Sequence, residues 1–355
     1  MSAPTILGDE DPMKAVYIGA HGGPEVLTYG DRPDPAIKPI EVKVKVRAAA
    51  LNRLDLYTRE GGRGLRRDFP PPLILGGDCA GDVVEVGDSV LGLNLGDRVV
   101  VNPLIDPMQL GAYPPEAAPP QPQFMGSAVD GSYAEYIAVP AVNAHPIAEG
   151  VSYDEAAAAP TTFLPVWNLL VRRAQLRPWE TVLVLSASAG VGTAAIQVAK
   201  RVVGARVIAT TSTAEKAAQA RSLGADEVIN YKVEDVAQRV KAITGGQGVD
   251  VVLDHVGAEF FSAAFSSLRP GGRYTICGAT TGLRAELHLG LLFTRQIEIY
   301  GGFMGTNEDM REIVAMLNRG VIHPVVHQVF PLSEAAAAHR AMADTNFFGK
   351  LLLRP

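Results

Sequence analysis

The segment Leu183 to Lys200, LVLSASAGVGTAAIQVAK, constrains this chain more than any other stretch. An apolar strand runs into a turn of small residues, Ser186 to Gly192, and the turn opens directly into a helix. Small side chains leave backbone amides bare at the positive end of a helix dipole, which is a ready site for a pyrophosphate. Ser188, Ala189, Gly190, Val191 and Gly192 would form that cradle. The strict G-x-G-x-x-G spacing is not met. Ala187 and Ala189 hold its first two glycine positions, and only Gly192 matches the third. A tightly packed βα turn with no ligand gives the same string, so the turn alone leaves both readings open.

The rest of the chain supplies context. From about Ser152 the pattern alternates regularly between apolar runs and helical periods. Strands are expected at Thr181–Leu185, Arg206–Thr211, Glu227–Tyr231, Asp250–Asp254, Arg273–Gly278 and Glu298–Phe303. Helices are expected at Gly192–Val203, Ala214–Leu223, Val233–Thr244 and Ala258–Leu268. Near-continuous apolar strands imply a parallel sheet covered on both faces, the doubly wound Rossmann arrangement. Met13 to Pro146 reads differently, with short strands at Lys14–Ile18, Glu41–Ala48, Asp82–Val86, Arg98–Val101 and Tyr133–Val139 and few helical patterns. EVKVKV at Glu41–Val46 alternates strictly, so a mainly antiparallel barrel is expected there. The proline-dense Leu110–Phe124 excludes strand or helix interior and should project as a lobe. After Asn307 come a helix at Glu308–Arg319, a helix at Ala335–Met342 and a last strand at Lys350–Leu353, returning to the first domain.

At 355 residues two domains are the better expectation: an α/β chain with a tail at 1–12, a barrel at 13–152 and 306–355, and a nucleotide domain at 153–305. A net charge of −6 without a basic stripe argues against a nucleic-acid surface. No apolar run is long enough for a membrane span. The two cysteines, Cys79 and Cys277, exclude a disulfide framework and fit a reducing cytoplasm.

The end of the second strand discriminates between nicotinamide cofactors. NAD use favours an acid there to bind the ribose 2′-hydroxyl. This strand ends in Thr210, Thr211, Ser212 and Thr213, with Lys216 following, so the groups suit a 2′-phosphate and NADPH, with NADH as the alternative. Glu215 sits in the first turn of a helix, where it favours the dipole.

Together these residues resemble the medium-chain dehydrogenase/reductase superfamily, in its quinone oxidoreductase-like branch. The resemblance is carried by GGPEVL (Gly22–Leu27), ALNRLDLYTREG (Ala50–Gly61), ILGGDCAGDVVEVG (Ile74–Gly87), LGDRVVVNP (Leu95–Pro103), DGSYAEYIAVPA (Asp130–Ala141), the ASAGVG turn, LGADEVINY (Leu223–Tyr231), GVDVVLDHVG and PGGRYTICGATTG. It implies a GroES-like β-barrel catalytic domain, a six-stranded Rossmann domain and a nicotinamide cofactor in the cleft between them. It also implies a homodimer through the last Rossmann strand, about Gln296 to Gly302.

Zinc is where the chain departs from alcohol-oxidising members of that superfamily. At the matching positions Asn52 replaces the first cysteine, Gly77 the histidine and Thr161 the third ligand, while Asp78 takes the acidic place. The segment matching the four-cysteine structural lobe, Asp106–Gly126, contains no cysteine. No metal is therefore expected. Without a Lewis acid, the reactions that remain are hydride additions to acceptors with their own electron sink, such as a quinone or an α,β-unsaturated carbonyl. The branch pattern N-x-x-D-x-Y-x-R falls on Asn52, Asp55, Tyr57 and Arg59, expected at the cleft mouth. Asn52 would hydrogen-bond the ribose or the substrate carbonyl. Tyr57 would stack on a flat acceptor and offer its hydroxyl. Arg59 would counter negative charge, or pair with Asp55 to fix the loop. Tyr231 matches a tyrosine at the 2′-phosphate. Gly278–Ala279 and Gly302–Phe303 should face the nicotinamide, and Lys350 stands near the cofactor or at the surface. Leu289, Leu291, Leu292 and Phe293 read as an apolar acceptor wall or as core. Two alternatives stand beside the reductase: an alcohol dehydrogenase whose zinc is held by Asp78 and His255, and an NADPH-binding protein with little turnover.

Overall fold

Six parallel strands form the centre of the second half. They are Thr181–Val184, Arg206–Thr211, Glu227–Asn230, Val249–Asp254, Leu268–Ile276 and Glu298–Gly301. A computed structural model describes residues 12–107 and 121–355 of the chain. In space the strands lie in the order third, second, first, fourth, fifth, sixth. This is the doubly wound order, whose direction reverses between the first and fourth strands. Alternate residues of the first strand explain why both faces are covered. Val182 and Val184 belong to one core layer and Leu183 to the other, all three with no exposed surface. Each such side chain contributes about 1.5–3 kcal/mol of burial.

The helix expected from Gly192 starts two residues earlier, at Gly190, and runs to Gln197. It continues as a wider π turn through Val203 and stops at Gly204, whose φ of 86° lies in the left-handed region. The next helix, Ala214–Leu223, is capped by Thr213, whose hydroxyl accepts from the Lys216 amide. The remaining helices, Val236–Ile243 and Ala258–Ser266, match their expected segments more briefly at the ends.

The first half is a barrel-like array of mainly antiparallel strands. Ala144–Pro146, Arg98–Val101, Asp78–Val86, Glu41–Ala50, Lys350–Arg354 and Val326–Pro331 pair in that order, and Tyr136–Pro140 also pairs with Glu41–Ala50. EVKVKV alternates as its sequence requires, with Val42, Val44 and Val46 buried and Lys43 and Lys45 half-buried. The C-terminal strand Lys350–Arg354 therefore docks on the strand that leads into Asn52. Val326–Pro331, parallel to it, had no expected counterpart. Nor did the helix Arg53–Glu60, which begins where the apolar strand ends and stops at Gly61, φ 68°.

Most of the proline-dense lobe, like the tail before Pro12, lies outside the described residues. Its end differs from expectation, since Gln123–Phe124 pairs as a short strand with Leu104–Ile105.

Candidate active site

A cleft of about 480 Å³ runs between the barrel and the carboxyl ends of the parallel strands. Cavities of a few hundred Å³ suit a cofactor or a small ligand. One end is formed by the turn that opens the helix at Gly190. Ser186, with φ of 51°, bends the chain sharply, and Ser188, Ala189, Gly190 and Val191 line the cleft. No side chain caps this helix, so the amides at its start, beside the cleft, have no side-chain partner. A Cβ on Gly192 would lie 2.2 Å from the Ser186 carbonyl oxygen, so this glycine lies beneath the cleft and lets helix and strand close on each other. On Gly190 a Cβ would meet Thr162 and the Lys350 stem. The turn thus fits a pyrophosphate with alanine at two of its three positions.

The far end of the cleft carries two ammonium groups. Ser212, Lys216, Tyr231 and Lys232 all line it. Burial holds the Lys216 pKa below its ordinary value, and its Nζ donates to the Thr345 carbonyl at 3.0 Å. Tyr231 packs edge-on against Phe260 with centroids 5.0 Å apart, and Lys232 sits 5.5 Å over its ring. At the switch point His255 donates from Nε2 to the Leu185 carbonyl at 2.9 Å. Gly278, Ala279 and Phe303 close the opposite wall.

From the barrel side comes a buried cluster centred on Lys350. Its Nζ donates to Asn52 Oδ1 at 2.5 Å and reaches Asp78 Oδ2 at 3.3 Å. Asp78, with no exposed surface, also accepts from Asn52 Nδ2 at 3.0 Å and from the Thr161 hydroxyl at 2.5 Å. Asp55 lies just behind, accepting from the Asn52 amide and from the Tyr133 hydroxyl, each at 2.8 Å. Burial outweighs these hydrogen bonds and pushes the Asp55 carboxyl up to about 7. Burial likewise lowers the Lys350 ammonium, against the pull of Asp78 and Asp55.

The positions that the family pattern gives to zinc are thus held by an amide, a glycine, a hydroxyl and a carboxylate, with the Lys350 ammonium set against them. This donor set does not fit zinc, which takes thiolate, imidazole and carboxylate ligands and is repelled by a cation among them. Among the described residues no cluster of three or more His, Cys, Asp or Glu side chains is placed to hold a metal. At the histidine position Gly77 is covered by Phe124, whose ring would lie 2.6 Å from an added Cβ. Gly77→Ala is accordingly expected to lower stability by ~1–3 kcal/mol through overpacking, read as a lower denaturant midpoint with unchanged slope.

Not every expected residue reaches the cleft. Asn52, Tyr57 and Lys350 line it, as do Ser212, Lys216, Tyr231, Gly278, Ala279 and Phe303. Arg59 does not. It is buried beneath the helix, donating to the Gly22 carbonyl at 3.1 Å and bonded to His339 Nδ1 at 3.0 Å, with Glu60 as its ion-pair partner. Its expected pairing with Asp55 is replaced by these contacts, while Asp55 bonds the Asn52 amide and the Tyr133 hydroxyl instead. Thr211 is buried beside the strand end, since neighbouring residues of a strand face opposite ways and Thr210 and Ser212 take the cleft side. Gly302 is covered by Leu169 rather than facing the cleft. Leu289 and Phe293 are solvent-exposed, and Leu291 and Leu292 pack on the sheet core, so that helix forms no acceptor wall. Two cations that line the cleft escaped the sequence reading, Arg53 and Lys232, as did Arg63 just outside the lining. Arg63 lies over the Tyr57 ring at 4.1 Å and donates to the Ala279 and Thr280 carbonyls at 2.6 and 2.9 Å, bridging the cleft. Lys232 directly follows Tyr231 in sequence, and that adjacency was the available signal.

Comparison with known proteins agrees with this architecture. Residues 38–149 match the alcohol dehydrogenase GroES-like domain, and residues 190–319 match the zinc-binding dehydrogenase family. A quinone oxidoreductase of Pseudomonas aeruginosa is 33% identical over 96% of this chain and 99% of its own length. An NAD-dependent alcohol dehydrogenase of Sulfurisphaera tokodaii is 31% identical over 97% of this chain and 100% of its own. A crystal structure of an NAD-dependent alcohol dehydrogenase superposes with a TM-score of 0.90 at 40% identity, covering 97% of this chain and 100% of that one. By fold, cleft and relatives alike, the chain is an NAD(P)H-dependent oxidoreductase of the medium-chain dehydrogenase/reductase superfamily, in its quinone oxidoreductase-like branch.

Proposed function

We propose that the protein is an NADPH-dependent reductase that passes hydride to a quinone or an α,β-unsaturated carbonyl without zinc. The observation that carries this reading is that Asn52, Asp78 and Thr161, at positions where an alcohol dehydrogenase needs metal ligands, bond to one another and to the Lys350 ammonium. When bound, the reduced nicotinamide supplies a hydride, and a conjugated acceptor needs no metal to take it. The unblocked helix start at Gly190 binds the pyrophosphate, and Lys216 and Lys232 hold the 2′-phosphate with no acid at the second strand's end to oppose them. One face of Tyr57 is covered by Arg63, so a flat acceptor stacks on the other face. The Tyr57 hydroxyl is buried and has no hydrogen-bond partner among the described residues, which leaves its proton for an acceptor that enters beside the ring. Against a rearranged zinc site speaks the Lys350 ammonium, which lies against the Asp78 carboxylate that such a site would need.

A homodimer fits the edge strand Glu298–Gly301. Ile299 there and the nearby Leu289 and Phe293 are exposed. Cysteines without a disulfide, Cys79 and Cys277, fit a cytoplasmic setting.

The test is NADPH and NADH oxidation against quinones, enones and aldehydes, with metal content measured on the same sample. Turnover of quinones or enones by metal-free protein, faster with NADPH, is the expected result. Stoichiometric zinc whose removal abolishes aldehyde reduction would overturn the proposal.

A further inference from the structure

We propose that Lys350 is the electrophile of this active site: its ammonium receives the oxyanion that develops on the acceptor, beside the positions the family pattern gives to metal ligands. The inference rests on the reductase reading above. Two segments far from Lys350 in sequence converge on its nitrogen, and a third fixes one of them. Asn52 Oδ1 lies 2.5 Å from Nζ and Asp78 Oδ2 lies 3.3 Å away, while Thr161 fixes the second oxygen of Asp78 through its hydroxyl at 2.5 Å. An ammonium has three N–H donors. Asn52 and Asp78 take two, which leaves one for a ligand in the cleft that Lys350 lines.

The group is also held still. Lys350 is only 5% exposed, and its stem lies against Gly190, where a Cβ would come within 2.8 Å of Cδ. A charge fixed before the reaction stabilises developing charge without reorganisation, which is the largest single source of catalysis in many enzymes. A solvated surface lysine offers no such advantage. Asp78 and Asp55 are the carboxylates that face this ammonium, and burial outweighs them to leave its pKa below the ordinary value. The remaining neighbours, Asn52 and Thr161, do not titrate in the working range.

The step balances as follows. The acceptor carbon gains the hydride from the reduced nicotinamide, forming a C–H bond, and the π electron pair moves onto the acceptor oxygen. The free Nζ–H donates a hydrogen bond to that oxygen, and water supplies the proton that completes the product. The acceptor is reduced by two electrons and the nicotinamide is oxidised.

Lys350 alone cannot be cut away cleanly, because Asp78 would remain as an unpaired buried charge. The test therefore compares the intact protein with Lys350→Arg and with the double variant Lys350→Met/Asp78→Asn, which removes both charges. The probe is 4-nitrophenol titrated into the NADP⁺ complex, read by the absorbance of its phenolate. The intact protein is expected to lower the apparent pKa of the bound phenol by about one unit relative to the double variant, with Lys350→Arg between them. In the same double variant kcat for a quinone or enone is expected to fall ~10²–10³-fold, the usual loss of one oxyanion donor, while the NADPH Kd changes less than about threefold. Equal phenolate binding by all three proteins overturns the inference. So does a kcat loss explained wholly by weakened NADPH binding, which would make Lys350 a cofactor clamp only. If the intact protein reduces no acceptor yet still selects the phenolate through Lys350, the reductase reading fails, and Lys350 stands as an oxyanion site but not as the electrophile of a reduction. If it reduces quinones or enones without that selection, the reverse holds.

Discussion

Lys216→Ala/Lys232→Ala is expected to raise the Kd for NADPH by about 100-fold while leaving NADH binding within about threefold. Both ammonium groups line the cleft beside Ser212 and Tyr231, and no carboxylate ends the second strand. A hydrogen bond to a charged group contributes ~1.5–3 kcal/mol, so two such bonds lost from a dry site would cost up to ~10⁴-fold. Lys232 is exposed and Lys216 only half-buried, and solvent screening brings the expectation down to the lower end. The comparison of cofactors carries the argument, because they differ only in the 2′-phosphate. Lys216 Nζ also donates to the Thr345 carbonyl across the cleft, so part of the effect could be loosening of that contact. Loosening would weaken both cofactors alike. Equal loss for NADPH and NADH, measured by titration of the dinucleotide into each protein, would sink the phosphate assignment.

The second large effect concerns stability against pH. Asp55 has a carboxyl raised from an ordinary 3.8 to about 7, with burial as the leading cause. A raised carboxylate pKa means that the folded protein holds a proton the unfolded chain has already released. The stabilisation from that proton is fully present below about pH 4, declines as pH rises and is gone above about pH 7. A shift of about three units corresponds to about 4 kcal/mol across that window. Asp55→Asn is expected to abolish this slope and to leave the variant more stable than the parent at pH 8. Its amide oxygen can still accept from the Asn52 amide and the Tyr133 hydroxyl, which both use one oxygen of Asp55. Electrostatics point the same way, since the buried cluster then holds one ammonium, Lys350, against one carboxylate, Asp78. Denaturant unfolding at pH 5 and pH 8 checks it, and a variant with the parent's pH dependence would refute it.

Much of the fold was legible from residue patterning. The parallel strands announced themselves as apolar runs separated by helical periods, because a strand covered on both faces has no polar side to show. The barrel strand Glu41–Ala50 was legible for the opposite reason, its valines alternating with charged residues as one face turned outward. Arg53–Glu60 was missed as a helix because its eight residues carry mixed polarity, and its start is set by Asn52 and Asp55 rather than by an apolar stripe. Val326–Pro331 was missed because much of its surface stays exposed, which leaves no apolar run to mark a strand.

The site divides along the same line. The sequence by itself determined the small-residue turn at the head of a helix and the missing acid after the second strand, and its resemblance to the superfamily marked Asn52, Gly77 and Thr161 as places without soft ligands. These are local identities, and chemistry reads them without coordinates. Only the tertiary structure decided which side chains meet. It buried Arg59 against His339 instead of the cleft and turned Thr211 inward while Ser212 faced out. It also carried Lys350, some three hundred residues from Asn52, to hydrogen-bond distance of it. Strand pairing brings about that meeting, since Leu352 and Leu353 pair with Ala50 and Ala49 and set Lys350 beside the end of the strand that leads to Asn52. No spacing along the chain encodes such a contact, because it depends on which strand the C-terminus chooses as its neighbour.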